Sequence, residues 1–187
     1  MRNKFDEQLH SLDEQLTHMG ELCETAIAKA TQALKDGSKE QAKIIITEDE
    51  EIDQIEKDIE RLCLKLLLQQ QPVAKDLRRI SAALKMITDM ERIGDQTSDI
   101  AEIILSSKND VAADDIHVIG TMASEVSKMV RNSVTAYVNR DLELARDVMK
   151  ADDAIDTYVE AVRDEMSDCT KEAKGETGKK ICDLRTV

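Results

Sequence analysis

The chain has 187 residues, enough for one or two domains, and its 39 acidic against 26 basic residues give a formal charge of −13 at pH 7. That balance argues against nucleic acid, whose phosphates need a basic footprint, and against direct docking on an anionic membrane; it suits a soluble surface or cation binding. One proline, six glycines, one phenylalanine, two tyrosines and no tryptophan leave too few of the aromatic and turn-forming residues that sheets require, so the chain reads as all-α.

The first predicted helix carries a stripe of Leu9, Leu12, Leu16, Met19, Leu22 and Ile27 at spacings near three and four, the mark of an amphipathic helix. It ends at Asp36-Gly37-Ser38, where glycine closes one helix and Ser38 caps the next. The second spans roughly 39–70, with Ile45, Ile52, Ile55, Ile59, Leu62 and Leu66 as its stripe, and stops before Pro72, which disfavours a helical residue ahead of it. The third runs from about 73 to 105, led by Leu77, Ile80, Leu84 and Ile87, and residues 106–110 form the linker. The pattern restarts with a fourth helix over about 114–139, a break at Asn139-Arg140-Asp141 and a fifth over about 142–170. Long helices with short connections imply antiparallel neighbours in a bundle. The expected architecture is two pseudo-repeated three-helix bundles, over 1–109 and 110–187, the second lacking most of its last helix.

A repeat supports that division. Asp49-Glu50-Glu51-Ile52-Asp53 returns 103 residues later as Asp152-Asp153-Ala154-Ile155-Asp156, and Met19, Ala33, Glu40 and Ala42 match Met122, Ala136, Glu143 and Ala145 at the same offset. In both copies the aspartates sit four apart, on one helix face about 5–6 Å from each other. Such carboxylates repel unless a cation lies between them. The third helix adds Glu91-Arg92-Ile93-Gly94-Asp95 and then Asp99. At roughly 100° per residue, Glu91 continues the apolar stripe, Asp95 falls about 40° aside and Asp99 about 80°. A carboxylate row is thus expected where burial is demanded, and a buried carboxylate protonates, pairs or binds metal. Gly94 costs a helix roughly 1 kcal/mol relative to alanine, so something is expected to approach the backbone there. The plainer readings are an arginine partner for Glu91 (Arg78, Arg79 or Arg92) and a solvated face for Asp49, Glu50, Asp53 and Glu56.

Other signals are weaker. Glu7-x-x-His10 has the spacing of di-iron bundles but needs a second copy, and Asp114-x-x-His117 is a poor one; His10, His18 and His117 form no cluster. The methionines Met86, Met90, Met122, Met129, Met149 and Met166 read as packing. Cys23, Cys63, Cys169 and Cys182 lack paired spacing and read as free, mostly core thiols. No apolar run approaches the ~20 residues of a membrane span and the N-terminus lacks a secretory apolar region, so a cytoplasmic protein is expected. No phosphate loop, catalytic triad or dinucleotide fingerprint marks an enzyme.

Gln71-Pro72-Val73-Ala74-x-Asp76-Leu77-Arg78, followed by a helix ending in Glu91-Arg92-Ile93-Gly94-Asp95, resembles the first half of the bacterial PhoU phosphate-signalling proteins. The Asp49–Asp53 segment and its repeat match as well. The resemblance implies two three-helix bundles, each holding a small metal cluster (iron, manganese, magnesium or zinc). On this chain the first site would use Asp49, Asp53, Glu91 and Asp95, with Glu50 and Asp99 beside them. Only Asp152, Asp153 and Asp156 remain of the second, since the counterpart of Glu91 would fall at position 194, past Val187. It implies a non-enzymatic negative regulator of phosphate uptake and phosphate-starvation signalling. Its partners would be the ATPase subunit of a phosphate ABC transporter and a sensor histidine kinase, reached at the inner face of the membrane without insertion. Two other classes remain open, a carboxylate-bridged iron metalloenzyme and a metal-free helical scaffold. The apolar faces of the fourth helix (Ile119, Met122, Val126, Met129, Val130) and fifth (Leu144, Val148, Ile155, Val159, Val162) need cover, from residues 176–187 or from a second copy in a homodimer.

Overall fold

A computed structural model describes residues 2–69, 73–107 and 113–172. They form five helices, α1 (Arg2–Asp36), α2 (Lys39–Gln69), α3 (Ala74–Ser106), α4 (Ala113–Asn139) and α5 (Leu142–Glu172), with no strand among them. Pro72, the expected end of the second helix, and the expected cover at 176–187 lie outside the described residues.

The α1–α2 turn shows why the chain reverses where it does. Gly37 adopts φ 60°, the left-handed conformation that glycine enters freely, and the Ser38 N–H then donates to the Ala33 carbonyl at 3.0 Å. Ser38 Oγ accepts from the Gln41 N–H at 3.3 Å, capping α2. The same turn recurs 103 residues on. Arg140 adopts φ 58°, the Asp141 N–H donates to the Ala136 carbonyl at 2.9 Å, and Asp141 Oδ1 accepts from the Glu143 and Leu144 N–H groups, each at 3.0 Å. The repeat read in the residues is therefore a repeat of backbone hydrogen bonding, with arginine bearing the left-handed strain that glycine avoids.

α1 is the central element, packed against α2, α3 and α4, while α2 and α3 pair antiparallel and α5, among the described residues, rests on α4 alone. Leu12, Leu16 and Met19 of α1, Ile59, Cys63 and Leu66 of α2, and Ile80 and Ile87 of α3 are fully buried in one core. Each such aliphatic chain contributes about 1.5–3 kcal/mol. A smaller core of Ala30, Ala33, Ala42, Ile45, Ala101 and Ile104 closes the α1–α2 turn. The expected cover problem is met in part by α1: Val130 and Val134 of α4 enter the main core, and Gly20 lets the helices close, since a Cβ there would stand 3.1 Å from Val134 Cγ2. Cys23 and Cys63 are buried free thiols, and burial pushes them up to about 12 and about 11. Met149, expected to pack, is instead exposed.

A polar tie joins α1, α3 and α4. The Arg79 guanidinium forks onto both carboxylate oxygens of Asp13, and the Tyr137 hydroxyl donates to the Arg79 carbonyl at 3.0 Å. Farther along, Arg131 of α4 pairs with Glu24 of α1.

Candidate metal centre

The carboxylates gather on the outer seam between α2 and α3. One oxygen each from Asp53, Glu91 and Asp95 lie within 4.8 Å of one another. The helices come this close because of Gly94, which is buried. A Cβ there would lie 2.6 Å from Asp49 Oδ1, and 3.1 and 3.2 Å from Ile52 Cδ1 and Cγ2. What approaches the backbone at Gly94 is therefore α2 itself, and it brings Asp49 with it. The Thr97 hydroxyl donates to the Gly94 carbonyl at 2.8 Å within the helix.

The expected position of these groups needs correcting. Glu91 does not continue the buried stripe: it is half-buried, and Asp95 and Asp99 are exposed. The buried line of α3 is Ile80, Ala83, Ile87, Met90, Gly94, Thr97, Ala101 and Ile104, rotated by roughly 100° from the line through Leu77, Leu84 and Glu91 at about 100° per residue. Small residues mark the closest helix contact, and a stripe of large apolar residues misses them. The carboxylates thus rim a seam rather than fill a core.

Like charge still accumulates there. Burial first, then Asp95, Asp53 and Asp99, raise the Asp49 pKa; burial first, then Asp95, Glu56, Asp53 and Asp49, raise that of Glu91. Glu56 is raised by burial and by Glu60 and Asp53, so it belongs to the cluster although the motif spacing does not include it. None of the expected arginines neutralises Glu91. Arg79 is taken by Asp13, Arg92 faces Asp89 at 4.0 Å, and Arg78 forms no ion pair among the described residues. Lys57, 3.4 Å from Asp53, is the one basic partner among the described residues, and both are well exposed.

Glu50 is exposed and is not drawn into the group. Asp152, Asp153 and Asp156 are exposed on α5, whose one described neighbour is α4; no described helix brings acids to face them. His10 and His18 lie on the surface of α1, beside Glu14 and Glu21; the side chains of Asp114 and His117, the expected second copy of the di-iron spacing, lie outside those described.

The donor set fits a hard cation. Oxygens that share one ion at about 2.0–2.6 Å can stand no more than about 5 Å apart, which the Asp53, Glu91 and Asp95 oxygens satisfy. Gly94→Ala tests the seam. Its Cβ displaces the Asp49 carboxylate and presses Ile52 by a few tenths of an ångström, while the helix gains roughly 1 kcal/mol from alanine. The expected result is a melting temperature close to wild type with weakened metal binding, read by calorimetry.

The PhoU domain model matches residues 16–104 and 119–187. The chain belongs to the PhoU domain family. The PhoU homologue of Clostridium acetobutylicum, named a phosphate-specific transport system accessory protein, is 35% identical over 92% of this chain and 80% of its own length. The Aquifex aeolicus homologue of the same name is 36% identical over 82% of this chain and 69% of its own length. The crystal structure of the phosphate transport system regulatory protein PhoU from Streptococcus pneumoniae superposes with a TM-score of 0.83 at 28% identity, covering 95% of this chain and 84% of that one. PhoU from Pseudomonas aeruginosa gives 0.83 at 26% identity, covering 96% and 86%. This membership places the chain among regulatory accessory proteins rather than enzymes, and its helical bundle is the family's.

Proposed function

We propose that this chain is a non-enzymatic regulator of phosphate uptake and phosphate-starvation signalling. In this reading it acts in the cytoplasm and links the ATPase subunit of a phosphate ABC transporter to a sensor histidine kinase. The observation that carries it is the likeness, over more than nine-tenths of this chain, to relatives named as accessory and regulatory proteins of phosphate transport. Among the described residues, no helix is long and apolar enough to cross a membrane, which accords with an accessory role beside membrane-embedded subunits.

Metal is the second part of the proposal. Asp49, Asp53, Glu91 and Asp95 would hold an iron, manganese, magnesium or zinc ion, with Asp99 and Glu56 at the rim. The ion supplies positive charge that cancels the repulsion across the seam and so fixes the spacing of α2 and α3. The side chains provide oxygen ligands, and Gly94 sets their distance. A second copy covering α5 would make the homodimer.

Affinity capture from phosphate-replete cells, with the chain as bait, is expected to recover the transporter's ATPase subunit or the sensor kinase. Their absence under both replete and starved conditions would contradict the regulatory reading.

A further inference from the structure

The net charge of −13 is unevenly spread, and the end of the bundle where α2 meets α3 departs from it. Residues 61–79 hold five basic residues and one acidic; Arg61 and Arg79 are paired with Asp58 and Asp13, which leaves Lys65, Lys75 and Arg78 against Asp76. Lys65, Lys75 and Arg78 are exposed and have no carboxylate partner among the described residues. The acid of the stretch, Asp76, sits in the first turn of α3, where the helix dipole favours it. At the start of α1, Asp6 and Glu7 reach the same end, and Lys4 offsets one of them.

The same end bares large apolar side chains. Leu68 is 82% exposed, Val73 65%, Leu64 46% and Leu77 44%. Leu64 and Leu68 are one turn apart on α2, and Val73 and Leu77 are one turn apart at the start of α3. The antiparallel register that sets Asp53 opposite Glu91 places Leu68 level with Asp76 and Leu77, so the two pairs lie side by side at one tip. Apolar side chains fringed by unpaired lysine and arginine are the composition that lies in a lipid headgroup layer.

We propose that this α2–α3 tip docks on an anionic lipid surface, with Leu64, Leu68, Val73 and Leu77 entering the headgroup layer and Lys65, Lys75 and Arg78 meeting lipid phosphates. A net charge of −13 does not oppose such docking, because charge acts locally. Fifteen residues of helix separate Leu68 from Asp53, about 22 Å at 1.5 Å per residue, whereas the screening length at physiological salt is about 8 Å. The carboxylate seam therefore does not repel the membrane that the tip meets. This inference stands on the tip alone and does not depend on which proteins the chain regulates.

Flotation of the purified full-length chain with protein-free vesicles tests it. Vesicles of phosphatidylcholine with added phosphatidylglycerol are expected to carry the protein up, pure phosphatidylcholine vesicles far less, and added salt should release it. Lys75→Ala with Arg78→Ala should weaken binding by about 25-fold, about fivefold for each charge. Leu68→Ser should weaken it by about tenfold. These residues are exposed, so circular dichroism should show both variants folded. No binding to anionic vesicles, as expected if the tip fits an acidic protein groove instead, would overturn the proposal. So would binding that both variants retain in full.

Discussion

Asp13→Ala is expected to lower the unfolding free energy by about 3–5 kcal/mol, the cost of stranding one member of a buried ion pair. Arg79 and Asp13 have side chains only 14% and 15% exposed. Burial works against the Arg79 charge, but the Asp13 hydrogen bond and its negative charge outweigh it and hold the guanidinium's pKa up. Remove Asp13 and the guanidinium, whose Nε already lacks a partner, keeps its charge with nothing to balance it. The same loss loosens α4, because Tyr137 lies over Arg79 at 5.9 Å and donates to its backbone. Replacing both partners, Asp13→Leu with Arg79→Met, should be nearly neutral, and Tyr137→Phe should cost about 1 kcal/mol. Urea unfolding of the three variants separates these outcomes; an Asp13→Ala cost below about 1 kcal/mol would remove the pair from the account of how α1 and α3 are held together.

Stripping metal should have the second largest effect. A ligand present at about 100 times its dissociation constant stabilises by about 2.7 kcal/mol, which for a chain of this size is roughly 5–10 °C in melting temperature. The sign of the pH dependence differs between the two states. Without metal, the raised carboxyls Asp49, Glu56 and Glu91 favour the protonated folded form. Their contribution is full below the ordinary carboxylate values and is lost as pH rises through the raised ones. Acidification from neutral pH therefore stabilises this seam in the stripped protein. With metal, protons compete for the same oxygens and the benefit fades on acidification. The melting curves of loaded and stripped protein should converge as pH falls, and scanning calorimetry across that range checks it. Parallel curves would mean that the carboxylates are not the ligands.

Much of the fold is legible because each helix announces itself locally. Leu9 to Ile27 and Ile45 to Leu66 repeat at helical spacing, and Gly37-Ser38 and Arg140-Asp141 mark turns at one offset. The carboxylate group is legible for the same reason, since Asp49 with Asp53 and Glu91 with Asp95 are each one turn apart. Their depth is not. Burial on α3 is decided by Ala83, Gly94, Thr97 and Ala101, which pack closely because they are small and leave no apolar stripe to read. The tie of Asp13 to Arg79 spans 66 residues, and that of Tyr137 to Arg79 spans 58. No local period connects such positions, so the docking of α4 on α1 is visible only in three dimensions. Net charge hid the basic tip in the same way, by averaging over a molecule whose ends differ.

Elemental analysis of protein purified without a histidine tag, wild type beside Glu91→Ala with Asp95→Ala, tests the metal-bearing seam most directly. The wild type is expected to carry iron, manganese, magnesium or zinc in defined proportion and to lose melting temperature on chelation. The double variant should bind none and, freed of the repulsion, melt no lower than stripped wild type. Equal metal in both proteins, or a wild type that binds none and ignores chelator, would contradict the account.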